Sequence, residues 1–143
     1  MESSPGIDIT VSSVTELPAA AAKILLGAGT RRVFLLSGPM GAGKTALIRE
    51  LCRGLGSSDH FSSPTYAIIN EYDSPVGRLC HFDLYRINSV AELYDLGIEE
   101  YLASGDYCFF EWPQLLEHVP LPPCVEITIE VHGDVRRISA NSK

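Results

Sequence analysis

The sequence predicts an α/β domain with a mixed parallel and antiparallel sheet flanked by helices, and three stretches carry that prediction. Gly38-Pro39-Met40-Gly41-Ala42-Gly43-Lys44-Thr45 lies between an apolar, β-rich run over residues 33–36 and an amphipathic segment over residues 46–51. Strand, glycine loop and helix in that order open a parallel-sheet unit. Tyr107-Cys108-Phe109-Phe110-Glu111 is apolar without alternation, as a parallel strand covered on both faces reads. Val125, Ile127, Ile129 and Val131 instead alternate with Glu126, Thr128, Glu130 and His132, which predicts an antiparallel strand with one wet face.

The glycine loop fits GxxxxGK(S/T) at every fixed position. This makes the expected fold a single P-loop NTPase-like domain spanning residues 1–143. Glycines at 38, 41 and 43 allow backbone conformations closed to other residues, so successive N–H groups can converge on a phosphate. The helix N-terminus adds partial positive charge. Lys44 then reaches the β- and γ-phosphates, and the Thr45 hydroxyl is placed for Mg²⁺.

Composition bounds the partners. A chain of 143 residues, 45% hydrophobic, suits one core. The net charge of −7 disfavours broad contact with polyanions, so nucleic acid would need a local basic patch or a partner's surface. Met1-Glu2-Ser3-Ser4-Pro5 lacks the basic and apolar regions of a secretory signal, and Lys23 interrupts the Ala-rich run. A soluble, cytoplasmic protein is expected. The cysteines at 52, 80, 108 and 124 have no metal-ligand spacing and read as buried free thiols.

In chain order, residues 7–11 alternate as an edge strand. Thr15 as N-cap keeps Pro18 in the first turn of a helix that packs Leu17, Ala21, Ile24 and Leu25 and ends at Gly27 and Gly29. The helix after the loop runs to about Leu55, stopped by Gly54 and Gly56. Residues 66–72 and 78–83 form an antiparallel hairpin around Asp73-Ser74-Pro75-Val76-Gly77. Ser89-Val90-Ala91-Glu92 is a capping box for a short helix closed by Gly97, and another short helix follows over residues 98–103. After the strand at 107–111 come Trp112-Pro113, a stiff Pro120-Leu121-Pro122-Pro123 connector, the alternating strand, and a last strand over residues 135–140.

Two carboxylates end apolar strands. Asp83 follows Leu79-Cys80-His81-Phe82, and Glu111 follows Tyr107-Cys108-Phe109-Phe110, so both emerge at the sheet edge where open α/β folds bind ligands. One can hold Mg²⁺ directly or through water while the other orients or deprotonates the attacking water. Thr65, in a polar loop after the first loop's helix, stands where switch segments sense a γ-phosphate. Trp112 has two uses, stacking near a nucleotide or filling the core beside Pro113, and the sequence alone favours the core. His81 reads as a packed strand residue, and His60, His118 and His132 read as loop or surface.

Four motifs then coincide in order: GPMGAGKT (38–45), SSPTYAIINEY (62–72), HFDLYR (81–86) and EWP (111–113). Together they closely resemble the TsaE (YjeE) family of small bacterial ATPases that serve threonylcarbamoyladenosine formation in tRNA. The resemblance implies ATP and Mg²⁺ as cofactors, with Thr45 and Glu111 at the metal, Lys44 on phosphate, Asp83 in hydrolysis and Thr65 as switch. It also implies nucleotide contacts from Gly38, Met40, Gly41, Ala42, Gly43 and Ala46 of the loop and from Trp112. The base would lie at residues 11–14, around Ser13. The loop reads Gly-Pro-Met-Gly where the family commonly has Gly-Asp-Leu-Gly, a change at free positions. Gly133 lacks the arginine often found directly after it, which leaves open whether Arg136 or Arg137 reaches the nucleotide. The implied partners are TsaD-type and TsaB-type proteins, with tRNA met mainly through them and no membrane or DNA involved. Two other classes compete: a small-molecule kinase using the same loop, for which arginine-rich lid segments are missing, and a nucleotide-gated binding module. A regulatory GTPase is disfavoured by the absence of NKxD.

Overall fold

The computed structural model describes residues 6–59 and 68–143. Seven strands form one sheet: β1 Ile7–Val11, β2 Val33–Ser37, β3 Ile69–Tyr72, β4 Leu79–Asp83, β5 Tyr107–Glu111, β6 Cys124–His132 and β7 Val135–Ser142. Their spatial order is β1-β7-β6-β2-β5-β4-β3. The centre is parallel, with β2 between β5 and β6 and with β4 beside β5. Both margins are antiparallel, through β1–β7–β6 on one side and the β3–β4 hairpin on the other.

The expectation of an antiparallel β6 therefore needs a correction: it is antiparallel to β7 but parallel to β2. Its alternation has the predicted meaning as far as Ile129, beyond which Val131 is exposed. Val125, Ile127 and Ile129 are buried while Glu126, Thr128 and Glu130 are exposed. Alternation reports a wet face, whereas strand direction is set by the partner, and β6 joins the parallel centre to the antiparallel margin.

Helices α1 Leu17–Ala28 and α2 Lys44–Gly54 cover one face, packing Ile24, Leu47, Ile48 and Leu51 on Phe34, Leu36, Phe109 and Ile127. The short helices α3 Val90–Asp95 and α4 Ile98–Ala103, with a 3-10 turn Pro113–His118, cover the other. There Leu93, Ile98 and Leu116 meet Leu35, Phe82 and Phe110. Ser89 accepts a hydrogen bond from the Glu92 backbone N–H at 3.3 Å, as the capping box requires. All four cysteines are buried and free.

Three boundaries differ from the sequence reading. A 3-10 turn, Val14–Glu16, precedes α1, so Glu16 and not Thr15 is its N-cap. The Thr15 and Ser13 hydroxyls pair with each other at 2.6 Å, and Glu16 takes the Ser12 N–H at 3.0 Å. Gly27 stays helical and Gly29, at φ 61°, ends the helix. The last strand runs on to Ser142 because its pairing with β6 continues to Val125. The predicted hairpin is present with Ile69 opposite Phe82; Tyr66 and Ala67, expected in its first strand, lie outside the described residues.

Candidate functional site

Strand β2 delivers the glycine loop to the sheet edge. A Cβ on Gly38 would meet the Ile129 carbonyl at 2.8 Å, so only glycine lets the loop leave so close to β6. Gly41 and Gly43 take φ of 78° and 102°, the left-handed region that turns the chain into α2. Lys44 and Thr45 thus begin the helix at its positive end.

Pairing of β4 with β5 sets Asp83 directly beside Glu111. Both strand ends stand at the same edge as the loop, as the sequence predicted. The Thr45 hydroxyl donates to Glu111 Oε2 at 2.8 Å, and His81 Nε2 lies 2.6 Å from that same oxygen. Burial alone would push the Glu111 carboxyl up. The His81 hydrogen bond and charge, the Thr45 hydroxyl and the Lys44 ammonium outweigh it and hold the group below the ordinary glutamate value. Asp83 is more open, and its Oδ1 accepts the Tyr85 N–H at 3.1 Å.

Lys44 is buried. Its Nζ donates to the Gly38 carbonyl at 2.5 Å and stands 3.4 Å from the centre of the Trp112 ring. Burial lowers its pKa, opposed by the charges of Glu111 and Asp83. Trp112 is half-buried: it packs against the core around Phe82 and Phe110, as the sequence favours, and also lies over Lys44. It is the one non-glycine residue at positive φ among those described, at 59°. Such a backbone costs about 1–3 kcal/mol and persists only where its surroundings enforce it. Here the turn into Pro113 folds the indole back over Lys44 and against Tyr85, whose ring centre is 5.0 Å away.

On the other side of the loop lies a cleft of about 370 Å³. Val11, Ser13 and Val14 form one wall, Gly41, Ala42, Gly43 and Ala46 the floor, and Gly133 and Arg136 the far wall. Arg136 Nε donates to the Ala42 carbonyl at 3.3 Å, tying β7 to the loop. Arg137 points elsewhere, to Asp8, at 3.0 Å. Neighbouring residues on a strand face opposite sides, so β7 turns Arg136 to the cleft and Arg137 to Asp8. Met40 is exposed and lines no part of the cleft. Thr65 lies outside the described residues. Among the described residues no three His, Cys, Asp or Glu side chains converge to hold a metal unaided. His81 was readable only as a packed residue, because nothing local shows that it shares an oxygen with Thr45.

The family model for threonylcarbamoyl adenosine biosynthesis protein TsaE matches residues 11–139. The chain belongs to the TsaE family. Among curated TsaE-family members, the tRNA threonylcarbamoyladenosine biosynthesis protein TsaE of Rickettsia prowazekii is 35% identical over 78% of this chain and 77% of its own length. The protein of that name from Borreliella burgdorferi is 39% identical over 77% of this chain and 81% of its own. The fold likewise follows the crystal structure of Bacillus subtilis YdiB, with a TM-score of 0.72 and 27% identity over 99% of this chain and 88% of that one. A TsaE-family role in tRNA threonylcarbamoyladenosine biosynthesis accords with the four motifs read in the sequence.

Proposed function

We propose that this TsaE-family chain binds ATP with Mg²⁺ and hydrolyses it, driving or resetting a complex of TsaD-type and TsaB-type proteins during threonylcarbamoyladenosine modification of tRNA. One observation carries the reading. Lys44, Thr45, Asp83 and Glu111, from three separate elements, meet at the mouth of the glycine loop beside a cleft wide enough for a base and ribose.

The donor set suits Mg²⁺, which takes hard oxygens and is commonly held by one or two carboxylates together with substrate phosphates. Thr45 and Glu111 would hold it, and when bound it would neutralise charge developing on the phosphates. The chain's own residues do the rest. Loop N–H groups and Lys44 cradle the phosphates, which requires Lys44 to leave the Gly38 carbonyl. Asp83 is free to orient a water and accept its proton. Ser13, Val14 and Arg136 border the place of the base and sugar. The acidic chain leaves tRNA contact to its partners, and a cytoplasmic location follows from that work; no described helix is long and apolar enough to cross a membrane.

The test is ATP hydrolysis by the purified chain, alone and with a purified complex of TsaD-type and TsaB-type proteins. Slow basal turnover that rises on adding the complex is expected. Turnover indifferent to the complex would remove the accessory role, and absence of nucleotide binding would remove the reading altogether.

A further inference from the structure

We propose that His81 is a positioning residue for Glu111: its Nε2–H donates to Oε2, so that this oxygen is shared with Thr45 and Oε1 is left for the ligand side. The inference rests on the Mg²⁺-ATP reading for its function, but its geometry stands without it.

Both side chains are almost fully enclosed, His81 at 3% and Glu111 at 5% exposure. An enclosed carboxylate that is free to turn presents its two oxygens indifferently. Here Oε2 receives the Thr45 hydroxyl at 2.8 Å and His81 Nε2 at 2.6 Å, while Oε1 has no hydrogen-bond partner among the described residues. Two donors on one oxygen fix the torsion of the whole group. An ionised carboxylate can only accept, so the imidazole must carry its proton on Nε2.

The backbone explains why the contact is stiff. His81 sits in β4, hydrogen-bonded on one side to β5 and on the other to β3, where it pairs with Asn70. Glu111 is two residues along β5 from Phe109, the partner of His81, so both side chains leave the same face of the sheet. That is the face covered by α2, which carries Thr45. Donor, carboxylate and hydroxyl are thus mounted on two strands and a helix of one core. Partners behind a metal-holding carboxylate fix its orientation, and their removal commonly lowers metal affinity about 10–100-fold.

The experiment compares wild type with His81→Leu and His81→Gln, whose amide N–H can stand near the position of Nε2. In His81→Leu the Mg²⁺ concentration needed for half-maximal tightening of ATP binding is expected to rise about 10-fold or more. Affinity for ATP without Mg²⁺ should stay within about twofold, and His81→Gln should recover most of the Mg²⁺ response. A purely structural role would lower the melting temperature and all affinities together, with no recovery in His81→Gln. That pattern, or an unchanged Mg²⁺ titration in His81→Leu, overturns the inference while leaving the proposed function in place. Nitrogen-15 NMR of the nucleotide-free full chain gives a readout independent of activity. A protonated Nε2 on His81 is expected, and an Nδ1–H tautomer with bare Nε2 would overturn the donor assignment. A wild-type chain that binds no Mg²⁺-ATP would remove the functional reading, and a protonated Nε2 would then still uphold the donor assignment.

Discussion

On the parallel side of the sheet, β4 and β5 carry Asp83 and Glu111 to one edge, where Glu111 is enclosed and held by Thr45 and His81 while Asp83 stays more open. On the antiparallel side, β1 and β7 carry Asp8 and Arg137, which pair in open solvent. The same bond types serve different ends in the two regions. Inside, losing one partner strands a buried charge and disturbs its neighbours. Outside, water replaces the lost partner and little changes. Charges that decide chemistry should therefore be sought where parallel strands end, and the cleft beside β7 should tune binding more than turnover.

The largest break in that contrast is expected from Lys44→Ala. It removes the only charged group that touches the Gly38 carbonyl and Trp112 together among those described, and should lower ATP turnover about 10²–10³-fold. Steady-state hydrolysis checks this, and normal turnover would end the case for a phosphate-binding lysine. Asp83→Asn keeps the shape of a side chain that no buried network needs. Turnover should fall about 10²-fold with ATP affinity nearly intact, as titration calorimetry beside kinetics would show. Equal losses in both would argue against a proton-accepting role.

Arg136→Ala and Arg137→Ala sharpen the comparison within a single strand. The first removes a cleft wall tied to Ala42 and should weaken nucleotide binding about tenfold, a loss of about 1.4 kcal/mol. The second removes only the exposed pair with Asp8 and should change binding less than about twofold. Reversed results would mean that β7 meets the nucleotide with its other face.

The smallest effect concerns the core shared by both regions. Burial, with the Cys80 thiol nearby, pushes the Cys52 thiol up from 9.0 to about 12. The folded state therefore holds its proton more tightly than the unfolded state. This contribution is fully present below about pH 9 and is lost as pH rises through about 12. Denaturant unfolding of wild type and Cys52→Ala across pH 8–11 checks it, since only wild type should lose stability from this source. Equal slopes would show that the thiol is not enclosed in solution.

Much of this was legible along the chain. The glycine loop announces its strand and helix because phosphate-loop geometry demands glycine at fixed offsets, and Gly41 and Gly43 do adopt left-handed φ. The strand-end acids were visible as a pair: one carboxylate closing an apolar strand also reads as a surface group, whereas two beside a phosphate loop point to the ligand edge of the sheet. Trp112 was placed in the core because an aromatic after an apolar strand reads as core, and it does pack there; its left-handed backbone, which the sequence does not show, brings it over Lys44 as well. The start of α1 was misplaced by one residue because Ser13 and Thr15 satisfy each other before either can cap.

By itself, then, the sequence determined the elements, the loop and the two acids, because periodicity, glycine placement and capping act over a few residues. Tertiary structure decided which of those groups meet. Glu111 joins Thr45 across 66 residues and His81 across 30, and Arg136 reaches Ala42 across 94. Such contacts depend on strand order and on a register in which a slip of one residue sends every side chain to the opposite face. Only the folded sheet sets that register, through the packing of its two faces.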